Sequence, residues 1–152
     1  MKILDALTPE TMVVDLQSQD KKGTLEELVA PVAAVAGIQA ADLVKVLLER
    51  EQLGSTGIGG GIGIPHGKLK DLENLILGFG LSRKGVDFES MDGRPTHIFF
   101  LLITPENSTG LHLKLLARIS RLLKSEPFKE KLMQVRSVED VIAVIEPVDE
   151  DF

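Results

Sequence analysis

The feature that most constrains the fold of this chain is an almost unbroken apolar run from His97 to Ile103. A strand without polar and apolar alternation is typically covered on both of its faces. Pro105 should end the run, because proline has no backbone N–H to donate. A second apolar stretch, Leu75 to Leu81, is also predicted to be a strand, with glycines on part of one face. We therefore expect a sheet with layers of structure on both sides.

Sequence patterns typical of helices alternate irregularly with these strands. Thr24 and Glu27 have the form of a capping box, and Gly37 should end the helix that they begin. Further helices are predicted at residues 40–53, 111–124, 127–135 and 138–145, short strands at 11–16 and 86–88, and a turn at 92–93. The predicted fold class is α/β, with a mixed β-sheet flanked by helices on both faces.

Composition indicates a single globular domain and argues against nucleic-acid binding and membrane insertion. The 152 residues, of which 43% are hydrophobic and 26% charged, suit a single domain with a core at about 4–146 and a flexible acidic tail at 147–152. The net charge of −6 argues against a nucleic-acid binder. No apolar run reaches the ~18 residues of a membrane span, and the N-terminus has no secretory pattern. We therefore expect no membrane insertion and a cytoplasmic location.

The most distinctive segment is rich in glycine and leads to a histidine. Residues 57–63 contain five glycines, which disfavours a helix and favours a loop with close backbone approach or positive φ. Ile62 stands where a dinucleotide fingerprint needs its third glycine, and Leu69 stands where a P-loop needs serine or threonine. The segment is therefore not predicted to bind a nucleotide.

His66 is the strongest candidate for chemistry. It stands between Pro65, which stiffens the backbone, and Gly67, which removes a flanking side chain. A neutral imidazole in this position can act as a nucleophile, and glycine N–H groups nearby can bind phosphoryl oxygens. The neighbouring residues alone are equally consistent with a surface histidine in a turn.

Other candidates are weaker on local grounds. His112 shares the apolar face of its helix, so it is either a partner of His66 at a helix terminus that favours anions or a core-edge histidine. Arg50 either binds phosphoryl oxygens or complements a helix dipole. We assign His97 a structural role. The histidines lie far apart and form no H-x-x-x-H pair, so no metal site is expected.

Three segments together resemble a known family. The stretch Gly54 to Lys68, which contains Ile64-Pro65-His66-Gly67, resembles the active-site segment of phosphotransferase-system IIA domains of the fructose/mannitol type. Leu48 to Glu51 and Leu111 to Ala117 resemble the family's other characteristic segments. The resemblance covers nearly the whole chain. Within the family, Pro65 to Leu69 looks most like the nitrogen-regulatory branch, whose members are free-standing.

The resemblance implies a three-layer α/β sandwich and a role for each candidate. His66 would accept a phosphoryl group from an upstream histidine phosphocarrier protein, with His112 as a supporting group and Arg50 near the phosphohistidine. The phosphoryl-binding loop would comprise Thr56, Gly57, Gly59, Gly60, Gly61, Gly63 and Gly67. Family members commonly carry Arg or Asn where this chain has Gly60, so no side-chain contact is expected there. No cofactor and no metal is implied.

The favoured function is regulation of partner proteins by the phosphorylation state of His66. One alternative is a sugar-specific IIA that passes phosphate to a IIB domain. Another is a binding module of the same fold without transfer chemistry. The presence of both His66 and His112 argues against the binding module, which needs neither.

Overall fold

The computed structural model describes residues 1–152, and its strands form one six-stranded sheet. The strands are β1 (Leu7–Val13), β2 (Gly57–Gly59), β3 (Ile62–Gly63), β4 (His66–Leu69), β5 (Ile76–Val86) and β6 (Thr96–Pro105). Strand β6 is central, because β5 pairs with it antiparallel while β3 and β4 pair with it in parallel. The predicted mixed sheet is therefore confirmed.

Helices cover both faces of this sheet. They are α1 (Ile3–Ala6), α2 (Lys21–Ala36), α3 (Ala40–Glu51), α4 (Thr109–Leu122), α5 (Glu126–Met133) and α6 (Val138–Ile145), followed by a 3-10 turn at Glu146–Val148. Side chains of β6 alternate between two cores: Phe99 and Leu101 pack with α2 and α3, whereas Phe100 and Leu102 pack with α1, α4, α5 and α6. The chain thus folds as the expected three-layer sandwich. No helix is both long enough and apolar enough to span a membrane.

Helix α2 begins earlier than its sequence pattern predicted. Asp20, rather than Thr24, is the N-cap, and its carboxylate accepts a hydrogen bond of 2.8 Å from the N–H of Gly23. Thr24 is buried inside the helix, and Glu27 accepts hydrogen bonds from the preceding loop. Asp caps a helix at least as well as Thr. The prediction of Thr24 as the N-cap from the capping-box spacing was therefore wrong. The predicted end at Gly37, in left-handed conformation, is confirmed.

Two short strands also differ from their predicted bounds. The first strand begins at Leu7 rather than Thr11, and its ladder with β5 is interrupted before Met12. Pro9 lies in this interruption, where its missing N–H costs no ladder bond. Val86 does not form a separate edge strand: it is the last residue of β5 and pairs with β6.

The acidic tail, which the sequence predicts to be flexible, contacts the N-terminus in the structure. Asp149 is buried, and its carboxylate accepts hydrogen bonds from the N–H groups of Ile3 at 2.7 Å and Leu4 at 2.9 Å. These N–H groups belong to the first turn of α1 and have no partner within the helix. The amino group of Met1 also lies 3.0 Å from the carboxylate of Asp151. These contacts join the two ends of the chain, so patterns of neighbouring residues could not predict them.

We expect Asp149→Ala to lower the free energy of unfolding by about 2 kcal/mol, because it leaves the buried N–H of Ile3 without an acceptor. Urea denaturation monitored by circular dichroism measures this change. Asp151→Ala is the matched control and should change little, because its ion pair is exposed. A free energy of unfolding of Asp149→Ala equal to that of wild type would show that the Asp149 contact does not stabilise the fold.

Candidate functional site

His66 begins strand β4 and pairs in register with Leu102 of β6. Its side chain is half-buried, and its Nδ1 lies 2.8 Å from the carbonyl oxygen of Ile64. A carbonyl oxygen can only accept, so Nδ1 carries the hydrogen and Nε2 keeps its lone pair. Nε2 is therefore the nucleophilic atom of the ring.

Gly67 allows helix α3 to approach this histidine. A Cβ at Gly67 would lie 3.0 Å from Cγ1 of Val46 in α3. The last turn of α3 carries Arg50, whose Nε donates to Nε2 of His66 at 3.3 Å. The Nη1 of the same guanidinium donates to the carbonyl oxygen of Gly54 at 2.9 Å. The Nε2 atom of His66 thus lies next to the positive charge of Arg50, which a second hydrogen bond holds in place.

The surroundings lower the pKa of His66 below its ordinary value of 6.5. Burial is the largest cause, and the positive charge of Arg50 acts in the same direction. The hydrogen bond to Ile64 and the negative charge of Glu51 oppose the shift. The imidazole therefore stays neutral, and so nucleophilic, at more acidic pH than an unperturbed histidine.

His112 faces His66 from the first turn of α4. The two ring centroids are 5.3 Å apart, with 64° between the ring planes. The His112 ring is buried, and its Nδ1 lies 2.7 Å from Oγ1 of Thr104. Burial first, and then the charges of His66 and Lys68, lower the pKa of His112 to about 4. The second imidazole is therefore neutral near pH 7.

Two residues at this site were missed by sequence reasoning. Thr104 is the hydroxyl partner of His112 and lies just before the proline that ends β6. Lys68 projects from the same face of β4 as His66, because strand side chains alternate with a period of two. Its Nζ donates to Oγ1 of Thr109, the first residue of α4, at 2.9 Å. The two-residue spacing could have revealed Lys68, but this segment was not recognised as a strand.

The glycine segment does not surround His66 as predicted. It forms a hairpin of β2 and β3, whose turn at Gly59–Gly61 has positive φ throughout. The carbonyl oxygen of Gly61 accepts from the N–H of His97, whereas His66 pairs with Leu102. His97 and Leu102 are five residues apart along β6, which corresponds to roughly 16 Å along the strand. Within the predicted loop, Gly67 is the residue that adjoins His66 in the chain.

The other residues of the predicted loop already have structural partners. The N–H of Gly60 donates to the carboxylate of Asp92 at 3.1 Å. Gly57 and Gly63 pair with each other in the hairpin. The N–H and hydroxyl of Thr56 both donate to a buried carboxylate at the end of α3. These residues therefore shape the hairpin and its packing, and of the predicted phosphoryl-binding loop only Gly67 lies directly beside His66.

Comparison with known proteins gives consistent matches over nearly the whole chain. Residues 5–147 match the family described as "Phosphoenolpyruvate-dependent sugar phosphotransferase system, EIIA 2". A nitrogen regulatory protein of Bradyrhizobium diazoefficiens is 41% identical over 145 residues, which is 95% of both chains. The fructose-specific EIIABC component of Bacillus subtilis is 36% identical over 146 residues, which is 95% of this chain and 23% of that protein.

Structural comparison agrees with the sequence matches. The crystal structure of the nitrogen regulatory protein IIA-Ntr from Neisseria meningitidis superposes with a TM-score of 0.88 at 34% identity, and the match covers 93% of this chain and 97% of that one. Fold and sequence thus point to the same group of proteins. The chain belongs to the EIIA 2 family of the phosphoenolpyruvate-dependent sugar phosphotransferase system.

Proposed function

We propose that His66 accepts a phosphoryl group on Nε2 from an upstream histidine phosphocarrier protein, and that its phosphorylation state controls partner proteins. The observation that carries this proposal is the unprotonated Nε2, whose lone pair accepts a hydrogen bond of 3.3 Å from Nε of Arg50. The carbonyl of Ile64 holds the hydrogen on Nδ1, while Arg50 and His112 flank the ring. A neutral imidazole with one unprotonated ring nitrogen suits covalent transfer chemistry.

The transfer step balances without a free proton. The Nε2 lone pair of His66 attacks the phosphorus, and the P–N bond of the donor phosphohistidine breaks with its electron pair returning to the donor ring. The Nδ1–H bond to Ile64 stays intact and spreads the positive charge that the phosphorylated ring acquires. Because no proton has to move, the site has only to orient the ring and stabilise the phosphoryl charge.

Several groups can stabilise that charge. The guanidinium of Arg50 lies at the nucleophilic nitrogen itself, and a planar guanidinium suits phosphoryl oxygens. The ammonium of Lys68 is tied to the first residue of α4. The side chain of the N-cap residue Ser108 does not cap α4, so the first turn of this helix offers free N–H groups and a positive dipole end to an anion. In our proposal these groups replace the glycine loop.

The regulatory assignment rests on relatives named nitrogen regulatory proteins, which match this chain over 95% of both lengths. The second candidate is a sugar-specific IIA, because a fructose-specific component matches 95% of this chain. Incubation with phosphoenolpyruvate and the two general upstream proteins, followed by intact-mass spectrometry, tests acceptance. Adding a purified fructose-type IIB domain then distinguishes the candidates: rapid onward transfer favours the sugar role, and a stable adduct favours the regulatory role. No adduct on the wild-type protein would favour the binding module.

We expect Arg50→Gln to move the acid limb of the pH profile to higher pH. His66 accepts phosphate only when neutral, so acceptance is lost as pH falls through its pKa. Arg50 lowers that pKa, and its removal raises the pKa, so the loss begins at higher pH. Initial rates of adduct formation between about pH 5 and pH 8 measure the limb. The exposed Arg94→Gln is the control, and an unshifted limb in Arg50→Gln would contradict the prediction.

A further inference from the structure

We infer that Glu51 is a positioning residue for the transfer: its buried carboxylate shapes the 52–56 loop, which holds the Nδ1–H tautomer of His66 and the guanidinium of Arg50. The inference rests on the proposed function of His66 and adds a residue that makes no contact with the reacting atoms. Three connected sets of hydrogen bonds link Glu51 to His66 and Arg50.

The first set surrounds the carboxylate. Glu51 is the last residue of α3, and only 7% of its surface is exposed. One oxygen accepts from the N–H of Thr56 at 3.0 Å and from the ammonium of Lys21 at 2.9 Å. The other oxygen accepts from the hydroxyl of Thr56. Three donors converge on one buried carboxylate, an arrangement that fixes Thr56 firmly because charged acceptors make the stronger hydrogen bonds.

The second set leads from Thr56 to the reactive ring. The carbonyl oxygen of Thr56 accepts from the N–H of Ile64 at 3.0 Å. The carbonyl oxygen of Ile64 in turn accepts from Nδ1 of His66 at 2.8 Å. The carboxylate therefore fixes, through two backbone groups, the carbonyl that keeps the hydrogen on Nδ1 and leaves Nε2 free. Loss of this carbonyl position would let the other tautomer form, in which Nε2 is protonated and cannot attack.

The third set leads to the guanidinium. The loop that Glu51 closes with Thr56 contains Gly54, whose N–H donates to the backbone carbonyl of Glu51 at 3.1 Å. The carbonyl oxygen of Gly54 accepts from Nη1 of Arg50 at 2.9 Å. The loop thus presents a carbonyl that orients Arg50 toward His66. The carboxylate contributes to this arrangement by closing the loop at Thr56, whereas Gly54 itself is held by the main-chain carbonyl of Glu51.

The test replaces this carboxylate with an amide. Glu51→Gln keeps the side-chain length but offers one acceptor oxygen and turns an NH2 donor toward other donors. We expect it to slow phosphoryl acceptance by about ten- to hundredfold, the size of effect caused by small misplacements. We also expect a larger fraction of the Nε2–H tautomer of His66 in long-range ¹H–¹⁵N spectra at neutral pH. Glu49→Gln, the same change at an exposed residue of α3, is the control and should leave rate and tautomer as in wild type.

The outcomes separate this inference from the proposed function. A folded Glu51→Gln protein with wild-type rate and wild-type tautomer overturns the role of Glu51. If Glu51→Gln does not fold, as judged by circular dichroism, Thr56→Val removes the hydroxyl donor at constant shape and should shift the tautomer in the same direction; an unchanged tautomer overturns the inference. Wild-type protein that accepts no phosphoryl group overturns the proposed function, while the tautomer measurement still decides the role of Glu51.

Discussion

His66→Ala should abolish the acid-labile phosphoryl adduct that forms on the wild-type protein in the presence of phosphoenolpyruvate and the two general upstream proteins. The substitution removes the nucleophilic Nε2, and no neighbouring group replaces it. The ring centroid of His112 lies 5.3 Å from that of His66, but the His112 side chain is buried and therefore out of reach of a phosphoryl donor. Intact-mass spectrometry before and after mild acid treatment measures the adduct directly.

Two histidine variants make this experiment discriminating. His97 is a natural control, because it is also half-buried and its Nδ1 also lies 2.8 Å from a carbonyl oxygen, that of Ser82, yet no hydrogen bond joins it to an arginine. His97→Ala should therefore keep the full adduct. His112→Gln should keep the adduct but form it about ten- to hundredfold more slowly, because the phosphoryl group loses a positioning neighbour. An adduct that survives in His66→Ala would refute the assignment of the acceptor.

Gly80→Val should destabilise the fold by about 3 kcal/mol, because it overfills the core between β5 and α2. A Cβ at Gly80 would lie 2.5 Å from Cδ2 of Leu28 and 2.8 Å from Cδ1 of Leu16. Both leucines are buried, at 1% and 5% exposure, so neither can turn aside without disturbing its own neighbours. The glycine is required by the close approach of the helix to the strand.

Chemical denaturation of both glycine variants tests this explanation. Gly110→Val is the matched control, because a Cβ at Gly110 has no heavy atom within 4 Å and the backbone there is helical. We expect the denaturation midpoint of Gly110→Val to stay close to that of wild type, because valine is no less favourable than glycine at a helical position. If Gly80→Val proved as stable as Gly110→Val, α2 would have to shift away from the sheet at little cost.

The amino-acid sequence was sufficient for the parts of this protein that depend on short-range patterns. The apolar run of β6 predicted a strand covered on both faces, because an unbroken apolar surface has to be buried on both sides. Gly78 and Gly80 of β5 were correctly assigned to one face. Pro65 and Gly67, which act on the backbone next to His66, made this histidine a candidate, and the family resemblance placed it above the other histidines. Such patterns succeed because their physical causes lie within a few residues.

Tertiary structure alone decided how the site is assembled. It brought His112 and Arg50 to His66, and it moved the glycine turn roughly 16 Å along β6 away from the reactive ring. It also joined Asp149 to the first turn of α1. These outcomes depend on strand register and helix packing, which are set by the sum of many contacts between distant segments. Local sequence made His66 the leading candidate for the nucleophile, whereas packing determined which side chains lie beside it.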